Sequence, residues 1–443
     1  MRQMKESGVQ WLGIVPANWE ISRLKSRISK RFGGAWGEEP TPDNMDNARL
    51  CIRIADFDFN TQTVKSSAST LRVYTYSQIY KTKLLDGDII VEKSGGGEKT
   101  PVGRTIIYNS QQFNGAEVLF ANFCECFRLK NVESKFFAYI MKSFYQSNDM
   151  HLYFNQTTGL QNLDIEAVIN SKAVFPPLEI QKGIVSFLDK ECAKIDSIYA
   201  DVEQQIETLE QYKRSIITES VTKGLNPNVA FASCDAKWLP KIPSHWKAIK
   251  GKYCFETRNT KGNHKNLELL SPTQKYGVIP QSLYEQYSTQ VTVKVNEKTN
   301  LQTFKTIYKG DYCISLRSFE GGFEFSNYDG VVSPAYTVFY PVIDTDRRYY
   351  KYLFKIQQFI TEMNSYSLSL RDGKPISFDD FGNTLIPIPP IEEQSEIANY
   401  LDKKCAEIES VIADKKKQLE VLENYKKSLI YEYVTGKKEV VNE

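Results

Sequence analysis

Asp88, Glu92 and Lys93 lie close together in a run that alternates like a strand, and carboxylates beside a lysine could hold a cation for phosphodiester cleavage. Asp86-Gly87-Asp88 reads more simply as a turn into that strand, and the matching Gly310-Asp311 is followed by Cys313, Ser315 and Arg317 without a carboxylate. Ser94-Gly95-Gly96-Gly97-Glu98-Lys99-Thr100 is glycine-rich but is no phosphate cradle. It lacks the Gly-Lys-Ser/Thr end of a Walker loop, and Thr100 stands where a dinucleotide fingerprint needs its last glycine. Phe175-Pro176-Pro177-Leu178 only looks similar to the Asn/Asp-Pro-Pro-aromatic motif of amino-methyltransferases. Cys124-Glu125-Cys126 reads as alternate faces of one strand rather than a ligand pair, and three scattered histidines (His151, His245, His264) make a zinc centre or a Ser-His-Asp triad improbable.

What remains is recognition chemistry. Arg23, Lys25, Arg27, Lys30 and Arg31 occur with no acid between Glu20 and Glu38, close to Phe32 and Trp36. Lys247, Lys250, Lys252, Arg258, Lys261 and Lys265 surround Tyr253, Phe255 and Asn259, opposed only by Glu256. Such cations can neutralise phosphates while loop Arg, Asn, Gln and Ser side chains read base edges. The bland alternative is a solvated basic face.

The elements that would position these residues come in two copies. Pro176–Thr222 aligns without gaps with Pro389–Thr435 at an offset of 213 and is identical at 25 of 47 positions. Trp11, Leu12, Pro16 and Trp19 are echoed by Trp238, Leu239, Pro243 and Trp246 at an offset of 227. In the repeated segment two prolines open a long helix. Leu188, Cys192, Ile195, Tyr199, Val202, Ile206, Leu209 and Ile216, like Leu401, Cys405, Ile408, Ile412, Leu419, Leu422 and Leu429, mark a narrow apolar seam that needs a partner helix. The two copies are expected to pair, each about 60 Å long at ~1.5 Å per residue, with Lys415 breaking the second seam once. Trp19 and Trp246 are expected in the core, Tyr212 and Tyr425 at the seam or against a partner.

The divergent blocks read as mixed α/β domains with one element order. Strand-like runs are Leu50–Phe59, Asp88–Lys93, Arg104–Asn109 and Val118–Leu129, then Asp311–Leu316 and Ala335–Tyr340; helix-like runs are Lys135–Tyr145 and Arg347–Met363. The expected fold is α+β: a pseudo-two-fold tandem repeat of two mixed α/β domains, 1–175 and 225–388, joined by helical spacers 176–224 and 389–443 that form an antiparallel coiled coil. Charge follows the same division, +3, −3, +5 and −3 along 1–175, 176–224, 225–388 and 389–443, although the whole chain of 443 residues carries only +2. No apolar run reaches the ~18 residues of a membrane span, and Met1–Asn18 has no signal-peptide pattern, so a cytoplasmic protein with reduced thiols is expected.

This arrangement resembles the DNA-specificity (S) subunits of Type I restriction-modification systems over almost the whole chain. The resemblance rests on Trp11-Leu12-Gly13-x-x-Pro16-x-x-Trp19 and Trp238-Leu239-Pro240-x-x-Pro243-x-x-Trp246. It rests also on the junctions Phe175-Pro176-Pro177-Leu178-Glu179-Ile180-Gln181 and Ile386-Pro387-Ile388-Pro389-Pro390-Ile391-Glu392-Glu393-Gln394, and on the twice-occurring Leu-Asp-Lys and Leu-Glu-x-Tyr-Lys. The first junction departs from the family pattern only in Ile180, where glutamate is usual. The resemblance implies two target-recognition domains that read a bipartite, asymmetric site on double-stranded DNA for defence against foreign DNA, and no catalytic centre, metal or cofactor in this chain. It implies two modification subunits that methylate adenine N6 from S-adenosylmethionine, and two restriction subunits that use ATP and Mg2+. Two pseudo-symmetric readers on one face of B-DNA should sit about one turn, ~10 bp, apart.

Loop position and residue type, rather than any family motif, single out DNA-contact candidates. These are Arg27, Arg31, Trp36, Lys93, Ser94, Lys99, Arg104, Asn155 and Gln156 in the first domain, and Arg258, Asn259, Lys261, Lys265, Tyr276, Arg317, Ser318, Arg371 and Lys374 in the second. Two rival readings are a coiled-coil scaffold whose basic blocks bind protein or RNA, and a nuclease whose site the residue types do not reveal.

Overall fold

The computed structural model describes residues 2–97, 100–147, 150–157, 160–262, 267–287, 301–315, 322–366 and 376–440, with backbone alone at 156, 157, 160, 287 and 301. The chain divides into two units: unit 1 is Met1–Val202 with Lys417–Glu443, and unit 2 is Glu203–Lys416. Each unit therefore holds one divergent block, part of the helix that follows it, and part of the other repeated helix.

In unit 1 an antiparallel sheet runs in the spatial order Thr105–Ile107, Ile89–Glu92, Cys124–Leu129, Ile28–Gly33. Side chains alternate across it with the strand period of two. Ile89, Val91 and Phe127 pack on the helix Ser134–Gln146, and Ile90, Ile106 and Cys126 pack toward Ile52, Val118 and Phe120 of a second sheet. That second sheet is Val118–Phe120, Ala48–Ile52, Leu71–Val73, its first pair parallel. Unit 2 repeats the plan. Phe323–Phe325, Tyr312–Ile314, Thr337–Pro341 and Phe255–Thr257 form the antiparallel sheet; Lys305–Ile307, Gly330–Val332, Glu268–Thr273 and Gly277–Pro280 form the second, which has one strand more than its counterpart and again one parallel pair.

Three runs that look continuous in the sequence are divided. Leu50–Phe59 is the strand Ala48–Ile52 followed by a short 3-10 turn at Ile54–Asp56, and Val118–Leu129 is two strands of different sheets. Arg347–Met363 breaks between the helices Arg347–Leu353 and Gln357–Ser365. In the second of these runs Val118–Phe120 is buried on both faces, so no change of hydrophobic period marks its end.

The two long helices are Leu178–Lys223 and Ile391–Val434. They run antiparallel within each unit. In unit 1 Phe187 stacks near Tyr433 (4.4 Å between ring centroids) and Asp196 accepts from Lys426 (2.6 Å). In unit 2 Ile216 clusters with Ile408 and Ile412, Lys213 pairs with Glu409, and Lys415 donates to Gln205 (2.5 Å), so the one cation in the second seam has a polar partner. Leu188, Cys192 and Ile195 join the core of unit 1, and Leu401 and Cys405 that of unit 2, so part of the seam binds a domain.

The repeated polar residues fasten each domain to its helix. Gln181 Nε2 donates to the Pro176 carbonyl while its Oε1 accepts from the Glu133 N–H at the start of Ser134–Gln146; Gln394 does the same with Pro389 and Asp346. Both glutamines are buried, where each hydrogen bond contributes about 1 kcal/mol and a lost partner costs more. Tyr139 donates to Asp189 (2.7 Å) and Tyr352 to Asp402 (2.6 Å). Trp11 Nε1 donates to the Lys172 carbonyl and Trp238 Nε1 to that of Leu385. Each long helix then ends at a left-handed glycine against the second tryptophan of the signature. A Cβ on Gly436 would lie 2.8 Å from Trp19, and one on Gly224 3.4 Å from Trp246.

Trp19 and Trp246 are both buried, but only Trp246 is satisfied, its Nε1 donating to Glu393 Oε2 (2.9 Å). Ile180 occupies the corresponding place in the first copy, and Trp19 Nε1 has no acceptor among the described residues. Ile180→Glu is expected to stabilise unit 1 by about 1 kcal/mol, by supplying that acceptor and placing a carboxylate in the first turn of a helix. Denaturant unfolding followed by Trp fluorescence checks this; no gain would mean that a glutamate at 180 does not supply Trp19 with an acceptor.

Candidate nucleic-acid interface

The strand carboxylates that could suggest metal chemistry are consumed by arginines. Asp88 accepts from Arg128 Nε and Nη2 (3.0 and 2.8 Å) and from the Leu85 N–H, and Asp311 accepts from Arg258 and the Tyr308 N–H in the same way. Glu92 is held by both forks of Arg104. All three acids are buried, and among the described residues no three His, Cys, Asp or Glu side chains come together as a metal site. Cys124 and Cys126 lie on the same face of their strand, not on alternate faces, because residues two apart share a face. Both sit in the core, where burial pushes their thiol pKa values well up.

The candidate contact residues separate by whether their polar atoms are already engaged. Arg27 pairs with Glu20 and lies over Phe175; Arg31 pairs with Glu125 and Glu166; Arg104 holds Glu92. Arg258 holds Asp311 while its guanidinium stacks near Tyr308 and Tyr340. Trp36 is partly exposed beneath the Arg72 guanidinium (3.9 Å). Asn259 donates to Thr257, and Lys275 lies over the partly exposed Tyr276. Lys93 and Lys261 have no ion pair or hydrogen bond from their ammonium groups among the described residues. Lys99, Lys265, Arg317, Ser318, Arg371 and Lys374 lie outside the described residues, and Gln156 is described by its backbone alone.

Ser94 and Asn155 are brought together. Ser94–Gly96 pairs with Leu160–Leu163, which pairs in turn with Phe154–Thr157. Register puts Ser94, Asn162 and Asn155 side by side, and Ser94 Oγ donates to Asn162 Oδ1 (2.5 Å). Gly96 serves packing: a Cβ there would lie 2.5 Å from the Val102 nitrogen. In unit 2 Lys261 and Lys305 face each other in an antiparallel bridge. Burial and the nearby Lys261 charge lower the pKa of Lys305, whose ammonium donates to the Tyr336 carbonyl (2.6 Å). Two adjacent ammonium groups favour an anion between them. Sequence reasoning missed Asn162 and Lys305. For Asn162 the signal was present, since Phe154-Asn155-Gln156-Thr157 and Leu160-Gln161-Asn162-Leu163 mirror each other around a short turn; Lys305 had no local signal.

Glu324 is a further buried acid, on the strand Phe323–Phe325. Lys355 donates to its Oε1 (2.7 Å), its Oε2 has no donor among the described residues, and burial pushes its pKa up to about 7. Because the folded-state pKa is raised, its contribution to stability is full below about pH 4.5 and is lost as pH rises through about 7. Glu324→Gln is therefore expected to flatten the decline in unit 2 stability between pH 5 and 8, by up to ~3 kcal/mol, in unfolding titrations. Parallel pH profiles of the two proteins would contradict this.

The model for the Type I restriction modification DNA specificity domain matches residues 59–208 and 243–421. A Methanocaldococcus jannaschii protein, provisionally named the type I restriction enzyme MjaX specificity subunit, is 21% identical over 437 residues, 96% of this chain and 95% of that protein. The type I restriction enzyme MjaVIII specificity subunit of the same organism is 25% identical over 304 residues, 64% and 66% of the two chains. A solved chain of a type I R-M system matches at a TM-score of 0.68 with 14% identity, covering 95% of this chain and 98% of that one. The HsdS subunit from Thermoanaerobacter tengcongensis matches at 0.51 with 15% identity, covering 96% and 98%. These structural likenesses concern the fold. No helix among the described residues is long and apolar enough to cross a membrane.

Proposed function

The chain belongs to the Type I restriction-modification DNA specificity family, and on that premise we propose that it reads DNA for an assembly whose reactions are carried out by other polypeptides. The observation that carries this reading is one core topology built twice with different loops, set on helices whose sequences repeat at 25 of 47 positions. Each domain reads one half of a split site, and unlike loops make the half-sites differ, so the target is asymmetric. Lys93 in the first domain, and Lys261 with Lys305 in the second, neutralise backbone phosphates; uncharged loop side chains read bases.

The partners are two modification subunits, which methylate adenine N6, and two restriction subunits. S-adenosylmethionine, ATP and Mg2+ belong to those partners. Support for a twice-used docking surface comes from exposed apolar residues at matching repeat positions, Ile198 and Tyr425 in unit 1 and Val411 and Tyr212 in unit 2. The same surface recurs once per unit, as two copies of one partner require.

Methylated adenines mapped across a host genome with and without this chain test the proposal. A split, non-palindromic motif that disappears with the chain is expected. An unchanged methylation map, or DNA cleavage by the purified chain alone with Mg2+, would contradict it.

A further inference from the structure

The row Ser94, Asn162, Asn155 crosses three strands of unit 1, and one of its faces is closed. On the other face Gly96 and Gln161 are register partners, Gly96 is buried against Val102, and the side-chain Oε1 of Gln161 is buried. Asn155 is exposed, and its carboxamide has no partner among the described residues. Strands ~4.8 Å apart spread the row over about 10 Å, within the ~12 Å width of the major groove, which admits a β-ribbon.

The chemistry of the ribbon is selective. Phe154–Thr157 and Leu160–Leu163 contain amides, a threonine and apolar residues but no charged side chain. Guanine is read best by arginine or lysine at O6 and N7, and cytosine by a carboxylate, whereas a carboxamide matches the N6 donor and N7 acceptor of adenine together. Asn162 already accepts from Ser94 through its Oδ1, whereas the Asn155 carboxamide has both its donor and its acceptor unengaged among the described residues. Lys93 precedes Ser94 in the chain, and its ammonium, near Gly33, has no ion pair or hydrogen bond among the described residues.

We infer that Asn155 reads an adenine in the first domain's half-site through the major groove, with Ser94 and Asn162 as positioning residues and Lys93 as a phosphate contact. This rests on the DNA-reading assignment above and adds to it the base and the residue. The competing role for such a row is purely structural, an amide ladder stiffening a small sheet.

The test uses the assembled modification complex, with methylated-adenine mapping and duplex affinity at several salt concentrations as readouts. Asn155→Ala is expected to lower discrimination at one A·T position of one half-site about 5- to 100-fold, leaving the spacer and the other half-site unchanged. Ser94→Ala should relax the same position less. Lys93→Ala should weaken all duplexes alike and reduce the salt slope by about one, without changing the motif. If Asn155→Ala does not assemble, Asn155→Gln carries the test, because the longer carboxamide should alter preference at that same position. Full discrimination retained by the substituted complex, or relaxation at a G·C position, overturns the inference. Absence of any split motif with the unsubstituted chain would instead defeat the DNA-reading assignment.

Discussion

Each domain is closed by the long helix that does not follow it, in the first domain by residues encoded far away in the chain, and the rest of the structure depends on that closure. Leu429, Ile430 and Val434 lie in one core with Trp11, Val15 and Trp19, although more than 400 residues separate them along the chain. Val221 closes the core of unit 2 against Trp238, Trp246 and Tyr349, which also donates to the Val221 carbonyl (2.7 Å). Burying an aliphatic side chain of this size contributes ~1.5–3 kcal/mol. Three such residues therefore supply a large share of the ~5–15 kcal/mol that keeps an ordinary domain folded.

This closure explains which residues repeat. Gln181 and Gln394, Asp189 and Asp402, Lys213 and Lys426, and Trp11 and Trp238 each make the same kind of polar contact in both units. Matching of the halves also extends beyond the long helices. At the same offset of 213, Lys135, Tyr139 and Lys142 correspond to Arg348, Tyr352 and Lys355 on the helix that docks each domain. Lys142 and Lys355 then diverge: one donates to the Asn60 carbonyl, the other to Glu324. Identity is retained where both units need one joint and is lost where each packs its own sheet.

The duplicated frame was legible because long amphipathic helices with caps and a gap-free repeat are local patterns. The division of Val118–Leu129 into two sheets was not, since a run buried on both sides has no period to lose. In the candidate interface, Lys93, Ser94 and Asn155 could be chosen from residue type and loop position. The engagement of Arg27, Arg31, Arg104 and Arg258 by acids depends on cross-strand register or on a turn, and composition does not contain it. Asn162 had a signal in the mirrored strand sequences, and register then placed it between Ser94 and Asn155.

The dependence of the first domain on the second repeated helix can be measured directly by hydrogen exchange on a chain lacking Lys417–Glu443. Strand Ile28–Gly33 and helix Ser134–Gln146 should lose protection, while strands Tyr312–Ile314 and Thr337–Pro341 keep theirs. Undiminished protection in the first pair would contradict the account.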